Sequence, residues 1–439
     1  MNVLFVFRAS PDIDHMVPLA WKLIESGEHV HAVMSPGYDP DGDHRIEFVR
    51  RHPQFHLHET GRPRSCDHGL SRLVKRFRGW ARGTLPYAFV VLRREHIQLI
   101  AVEWGYGLNA GYERLRSVRG AVALLRSLAR SLLRSSDPHQ TRVSYLVAAH
   151  VLGLPTVCLP HGLNIKHGAA WNQEWVDILA QGGVDYRDRN RFTSFVLNTE
   201  EMRRWYIDHA MGDPDVLETL GSLRWTPEWF ERNLELAPSF EWPETGPGQV
   251  KVVFMVPKWM NRVHAEDVIE LVRRLQHVDE ISLALMGHPR KEGSADPLYA
   301  DPEIDWRRIR DVTGVSSVSV IRACDVVIDV GSSIGIEVVM QGKVLVNPTY
   351  VHDLETMFDT IPGSSVVARD ANAVVAYLQA HFAGSPHVTS DEAYRALLRD
   401  AVFASRPDPF DVLEEHYQRL RELVRDADGD ARVPTGAAT

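Results

Sequence analysis

Residues 324–348 read CDVVIDVGSSIGIEVVMQGKVLVNP. Val326 to Val330 is a continuous apolar run, short enough for a strand buried on both faces. Gly331-Ser332-Ser333 breaks the run. Ile334 to Gln341 then reads as a helix, and Val344 to Asn347 reads as another buried strand. Strand, Gly/Ser turn, helix and strand in so short a span are the unit of a parallel sheet covered by helices.

The same rhythm extends outward. Val252 to Val256 and Ser282 to Met286 read as strands around an amphipathic helix at Ala265 to Leu275. Towards the N-terminus, Val3 to Phe7, His29 to Met34, Phe55 to His58, Leu99 to Val102, Thr156 to Leu159 and Phe195 to Leu197 read as strands. Ala20 to Ile24, Ser144 to Val151 and Glu200 to His209 read as helices between or after them. A Pro, Gly and acid-rich stretch separates the two series. The expected organisation is a Rossmann-like domain at 1–235, a linker at 236–249, a second Rossmann-like domain at 250–385, C-terminal helices at 386–426, and a disordered tail at 427–439. The helices are placed at about Asp391 to Ser405 and Pro409 to Arg425.

Composition narrows the class. Hydrophobic residues make up 44% and charged residues 24% of 439, as in an ordinary globular protein. Three widely spaced cysteines, Cys66, Cys158 and Cys324, give neither a disulfide framework nor a zinc-ligand spacing. They favour a reducing compartment, and the expected location is the cytoplasm. No apolar run is long enough to cross a bilayer. The net charge of −9 argues against a dedicated nucleic-acid binder. That total hides an asymmetry: residues 60–135 hold fifteen Arg or Lys and only four Asp or Glu. Arg126, Arg130 and Arg134 recur every four residues there and form one helical stripe. The block suits an anionic or lipid-linked acceptor or an anionic membrane surface, which would make the protein peripheral at the inner face of the membrane. A solvated helix face reads equally well.

In parallel sheets, ligands bind beyond the carboxyl ends of the strands. Five loops lie there. SPDIDHMVP at 10–18 carries His15 at a helix start, where Asp12 or Asp14 is a good N-cap. LPHGLN at 159–164 carries His161, with Gly162 for a tight turn. VPKWMNR at 256–262 offers Lys258 and Arg262 to a phosphate. GHPR at 287–290 offers His288 and the Arg290 fork. DVGSSIGIE at 329–337 opens a helix with Ser332 and Ser333, a recipe for holding phosphate, and Glu337 lies one turn on.

These motifs resemble those of metal-independent glycosyltransferases with two Rossmann domains, the GT-B architecture. The similar branch builds bacterial surface polymers, and it includes CDP-glycerol glycerophosphotransferases of teichoic acid synthesis and capsule polysaccharide transferases. LPHG resembles their His-Gly motif, GHPR their His-Pro motif, and residues 324–348 their Ser-Ser motif followed by an acid and Gly-Lys. VPKWMNR resembles their strand-exit loop, with Lys258 where Thr is usual; Val344 stands where Pro is usual. DHMVPLAWKLIESGEHV at 14–30 resembles the opening of nucleotide-sugar glycosyltransferases, with Asp14 in place of Gly.

The resemblance implies a cleft between two domains and a donor linked to CDP, CMP or UDP, held by Lys258, Arg262, His288, Arg290, Ser332, Ser333 and Glu337. It implies that His161 or His15 takes the proton from an acceptor hydroxyl, in single displacement without a metal or other cofactor. The transferred group would be a sugar or a polyol phosphate. Two alternatives stand beside this. GSSIGIEVV is similar in style to the helix start of non-hydrolysing UDP-N-acetylglucosamine 2-epimerases, although their paired Glu is reduced to Glu337-Val338 and no set of catalytic carboxylates is evident. The other is a catalytically inactive polymer-binding protein.

Overall fold

Val3 to Phe7 are all 0% exposed, so the first strand of the chain is covered on both faces. The computed structural model describes residues 1–8, 10–35, 40–58, 83–103, 138–160, 162, 166–167, 186–242, 246, 248–259, 262–287, 297–406 and 410–430. In chain order its strands are β1 (Asn2–Phe7), β2 (His29–Met34), β3 (Phe55–His58), β4 (Leu99–Glu103), β5 (Thr156–Leu159), β6 (Lys166–His167), β7 (Ser194–Leu197), β8 (Leu217–Thr219), β9 (Val250–Met255), β10 (Ile281–Met286), β11 (Ile309–Asp311), β12 (Val326–Asp329), β13 (Val344–Pro348), β14 (Glu355–Thr356) and β15 (Val366–Ala368).

Seven strands form one parallel sheet in the order β3-β2-β1-β4-β5-β7-β8, and six form another in the order β11-β10-β9-β12-β13-β15. Both are α/β sheets of the Rossmann kind, as the runs of apolar residues led one to expect. In each, the order reverses beside the first strand: between β1 and β4, and between β9 and β12. A parallel sheet opens a crevice at such a switch point, beyond the carboxyl ends of the strands. β6 and β14 pair antiparallel as a small separate ribbon.

The chain divides into two compact units. Met1–Gly162, Val184–Glu231 and Val402–Thr439 make up the first; Leu163–Gly183 and Arg232–Ala401 make up the second. The two C-terminal helices therefore part company. Helix Asp391–Ala401 packs on helix Ile334–Met340 in the second unit, while helix Val412–Asp430 packs on helix Ser10–Glu25 in the first. The return is built into the sequence: Leu413, His416, Tyr417, Leu420, Leu423 and Val424 fall on one helical face and are buried. Lys22 pairs with Glu414 at 2.6 Å, and the Tyr417 hydroxyl donates to Glu28 at 3.2 Å. This helix reaches Asp430, into the stretch read as tail.

The stretch read as a linker is fastened where it is described. Trp242 Nε1 donates to Ser282 Oγ at 3.0 Å, the Ser319 hydroxyl donates to the Pro238 carbonyl at 2.6 Å, and Arg322 donates to the Leu234 carbonyl at 2.7 Å. The first helix also differs from its sequence reading. It runs Ser10–Glu25, straight through Pro18, a residue that cannot donate to the carbonyl of Asp14. Burial of Ile13, Met16, Val17, Leu19 and Ala20 holds it helical.

Candidate active site

In the first unit the candidate site lies beyond β1, β4, β5 and β7. His15 sits in the second turn of helix Ser10–Glu25, and only 3% of it is exposed. Its ring meets Trp225 edge-on, with centroids 6.3 Å apart. Its Nε2 accepts the backbone N–H of Gly162 at 3.0 Å. Gly162 turns with φ +60, a conformation that favours glycine. Its carbonyl accepts from the side-chain amide of Asn198, which follows β7. Two side chains from distant elements thus clamp both backbone polar groups of Gly162. Gly162 thus has the backbone conformation that a tight turn uses, and His15 is one of its holders. His161 itself lies outside the described residues, as do Leu163 and Asn164.

Asp14, the neighbour that breaks the family pattern before His15, has a structural occupation. It takes ion pairs from Arg45 and, at 3.4 Å, from Arg224, whose guanidinium lies 5.1 Å from the Trp225 ring. Asp12 is not the N-cap that the sequence suggests. It lies inside the first turn, and its carboxylate reaches back to accept the backbone N–H of Arg8 at 2.6 Å.

Asp12 belongs to a buried acid pair that the sequence reading missed. Glu103 ends β4 at 0% exposure, and Asp12 is 1% exposed. Arg8 reaches the two carboxylates at 3.4 and 3.8 Å, and buried Arg142 donates to the Glu103 carbonyl at 3.0 Å. Burial, and next the neighbouring Glu103 carboxyl, push Asp12 well above the usual carboxylate range. Two acids at the β1/β4 switch point are thus poised to share a proton. The only sequence signal was an acid at the end of each of two elements that become neighbours; nothing local announced the pairing.

In the second unit the switch point lies between β9 and β12. The loop after β9 carries Lys258, half-buried, and Arg262, exposed with φ +53. The turn after β12 is Gly331-Ser332-Ser333. Buried Asp329 organises it by accepting both the backbone N–H and the hydroxyl of Ser332, each at 2.8 Å. Burial pushes the Asp329 carboxyl up to about 7, against the lowering effect of those two bonds. The Ser332 oxygen in turn accepts the N–H of Ile334 at 3.2 Å. Ser333 occupies the N-cap position, yet its hydroxyl makes no capping bond. The helix that follows has seven residues, Ile334–Met340, shorter than its sequence reading by one. Its macrodipole is correspondingly small, so an anion held there would depend on the turn's own N–H and O–H groups.

A second missed residue backs this turn. The built-in glycine at 331 has φ +63, and a Cβ there would lie 3.6 Å from His352 Nε2. The His352 Nδ1 accepts the Leu354 N–H at 3.1 Å, which places the neutral ring's proton on Nε2, the nitrogen nearer Gly331. Glu337 is buried one helical turn beyond Ser333. Gly287, at the exit of β10, is held by Thr313, whose hydroxyl accepts its N–H at 2.7 Å. His288 and Arg290 beyond it lie outside the described residues, as do Arg126, Arg130 and Arg134. The structure therefore brings Ser332, Ser333 and Glu337 together around one turn, and places Lys258 and Arg262 on the loop leaving the adjacent strand.

No family model and no curated protein matches the chain in sequence. Solved structures do match its fold. The UDP-GlcNAc 2-epimerase of Neisseria meningitidis, bound to UDP-GlcNAc, is similar with a TM-score of 0.53 at 9% identity, over 96% of this chain and 100% of that one. A putative UDP-N-acetylglucosamine 2-epimerase of Listeria monocytogenes gives 0.50 at 12% identity, over 95% and 97%. S. aureus MnaA, in a co-structure with UDP, gives 0.50 at 10% identity, over 97% and 96%. The likeness establishes a two-domain GT-B fold over nearly the whole chain.

Proposed function

We propose that the chain acts on a nucleoside-diphosphate sugar, with UDP as the nucleotide, and transfers the sugar to an acceptor hydroxyl. The observation that carries this reading is the second unit's switch point. Two loops with phosphate-binding chemistry, Val256–Arg262 and Gly331–Ser333, leave the adjacent strands β9 and β12 there. The Neisseria structure of the same fold holds UDP-GlcNAc, and the Staphylococcus one holds UDP.

In this reading Ser333, the backbone of the turn, Lys258, Arg262, His288 and Arg290 hold the diphosphate and stabilise charge on the leaving group. His161 is the general base, and His15 positions it. The Gly162 N–H already occupies the His15 Nε2 lone pair, the one that a base would use. The acceptor is anionic, drawn by the basic stripe of Arg126, Arg130 and Arg134, and the product is a surface polysaccharide or glycoconjugate. His161→Ala and His288→Ala each lower turnover about hundredfold or more. Turnover within about threefold of wild type for both variants contradicts the assignment.

One observation favours a second reading, an epimerase acting on UDP-N-acetylglucosamine. Moving a proton at a sugar carbon needs an acid and a base and no acceptor. Asp12, buried beside Glu103, and buried Asp329 supply carboxyls that hold a proton more firmly than a free carboxyl does. Incubation with UDP-GlcNAc alone separates the two. Turnover in the absence of any acceptor selects the epimerase; turnover that requires an added hydroxyl acceptor selects the transferase.

A further inference from the structure

Just past β11, Thr313 bonds to both ends of one loop. The pairing of β10 with β9 stops at Met286, and its pairing with β11 stops at Leu285. The N–H of Gly287 therefore lies beyond the ladders, and the Thr313 hydroxyl accepts it at 2.7 Å. Glycine lets that oxygen come so near, since a Cβ at 287 would itself lie 2.7 Å from it. Residues 288–296 lie outside the described residues. Helix Pro297–Ala300 follows them, and its Tyr299 hydroxyl lies 3.3 Å from the same Thr313 oxygen.

The hydrogens of this cluster have one order. One carboxylate oxygen of Asp311 accepts the Tyr299 O–H at 2.9 Å, and the other accepts the Thr313 backbone N–H at 2.9 Å. The phenol's single hydrogen thus goes to Asp311, so between the two hydroxyls it is Thr313 that donates. Its own hydrogen is then directed at Tyr299, and a lone pair is left for the Gly287 N–H. Tyr299 is fixed in turn by Trp306. The two rings stack with centroids 4.7 Å apart and planes 11° from parallel, and Trp306 packs against the core of the second sheet.

We propose that Thr313 is a positioning residue for the diphosphate of the nucleotide: by joining the two stems of the loop between Gly287 and Tyr299, it restrains the His288-Pro289-Arg290 segment that the loop carries. The inference rests on the reading that His288 and Arg290 hold the diphosphate. A loop with tied ends has less freedom to lose when it closes on an anion, so the tie raises affinity without itself touching the ligand. Tyr299 and Asp311 act one step further back, by keeping the Thr313 hydroxyl turned so that its lone pair serves Gly287.

Calorimetric titration of UDP into the full chain tests this. Thr313→Val keeps the shape of the side chain and removes both bonds, and it is expected to bind UDP about three- to tenfold more weakly than wild type. Thr313→Ser, which keeps the hydroxyl, is expected to recover most of the affinity. In a His288→Ala background, Thr313→Val is expected to cost less than about twofold, because the residue acts through the loop. Should Thr313→Val fail to fold, Tyr299→Phe is read in its place; it keeps the stack, loses the hydroxyl, and is expected to weaken UDP binding in the same direction. Where UDP binds wild type and His288→Ala weakens it, an affinity within about twofold of wild type in the Thr313→Val or substitute Tyr299→Phe variant overturns this inference alone. So does a loss that Thr313→Ser fails to recover, or one that is as large in the His288→Ala background. If wild type does not bind UDP, or His288→Ala binds it as wild type does, the nucleotide reading fails and this inference fails with it.

Discussion

Gly335 shows how tightly the turn after β12 is backed at the level of single atoms. A Cβ there would lie 2.6 Å from Phe358 Cζ and 3.0 Å from Leu345 Cδ2, and both side chains are in the core. Gly335→Ala is therefore expected to destabilise the chain by about 1–3 kcal/mol by overpacking, read from the denaturant midpoint. His416 makes a different prediction. It is fully buried in helix Val412–Asp430, its Nδ1 donates to the Val412 carbonyl at 2.8 Å, and burial pushes its pKa down to about 4. In the unfolded chain it titrates near 6.5. Between those values the unfolded state takes the proton first, so stability falls as pH drops from 6.5 towards 4 and levels off below. The full effect is about 3 kcal/mol. His416→Leu should flatten this part of the stability–pH curve; an unchanged slope would show that the imidazole is not neutral in the fold. At this scale the sequence told position better than role. His15 was recognisable at a helix start beyond a strand. Its true partner, the Gly162 amide, lies 147 residues away, and no local pattern encodes that.

Among the elements, the legible ones were those with enough buried apolar residues to fix their period. β2, β3, β5 and helix Ala265–Leu275 have the bounds that the sequence implied, and Val268, Leu271, Val272 and Leu275 are the buried stripe of that helix. Of the strands that escaped, β8, β11 and β15 have three residues each and lie at sheet edges, and β6 and β14 have two residues each and pair only with one another. One sheet neighbour is enough to hold so short a strand, but alternation cannot be seen in it. The switch points were invisible for a related reason: strand order is a property of long-range pairing. Knowing it gives the Ser332 turn a pH dependence. Asp329 holds a proton below about 7 and releases it above. Ionisation adds a negative charge beside the turn, so affinity for UDP is expected to fall as pH rises from about 6 to 8. Asp329→Asn should remove most of that dependence, as read by titration calorimetry across the range. A wild-type affinity that is flat in pH would detach Asp329 from the nucleotide.

Across the whole molecule, the chain starts and finishes in the same unit. Helix Val412–Asp430 closes on helix Ser10–Glu25 and on β8, where the Arg419 guanidinium meets Glu218 with Nε at 2.8 Å. A division drawn along the sequence could not show this, because the amphipathic pattern of a helix does not say which sheet it covers. The charge asymmetry belongs to this scale too: the acidic total hides a basic stretch in the first half of the chain, while the loops proposed to hold a donor fall in the second. No helix among the described residues is long and apolar enough to cross a membrane. A nucleoside diphosphate is proposed to bind at the β9/β12 switch point. Calorimetric titration of UDP into wild type and into Ser333→Asp tests it most directly, with circular dichroism to show that both are folded. The variant places a carboxylate where the diphosphate would lie without disturbing a buried residue. UDP should bind wild type at one site per chain and bind the variant at least tenfold more weakly, a loss of about 1.4 kcal/mol or more. Equal affinity in the two proteins, or no binding of UDP to wild type, would contradict the account.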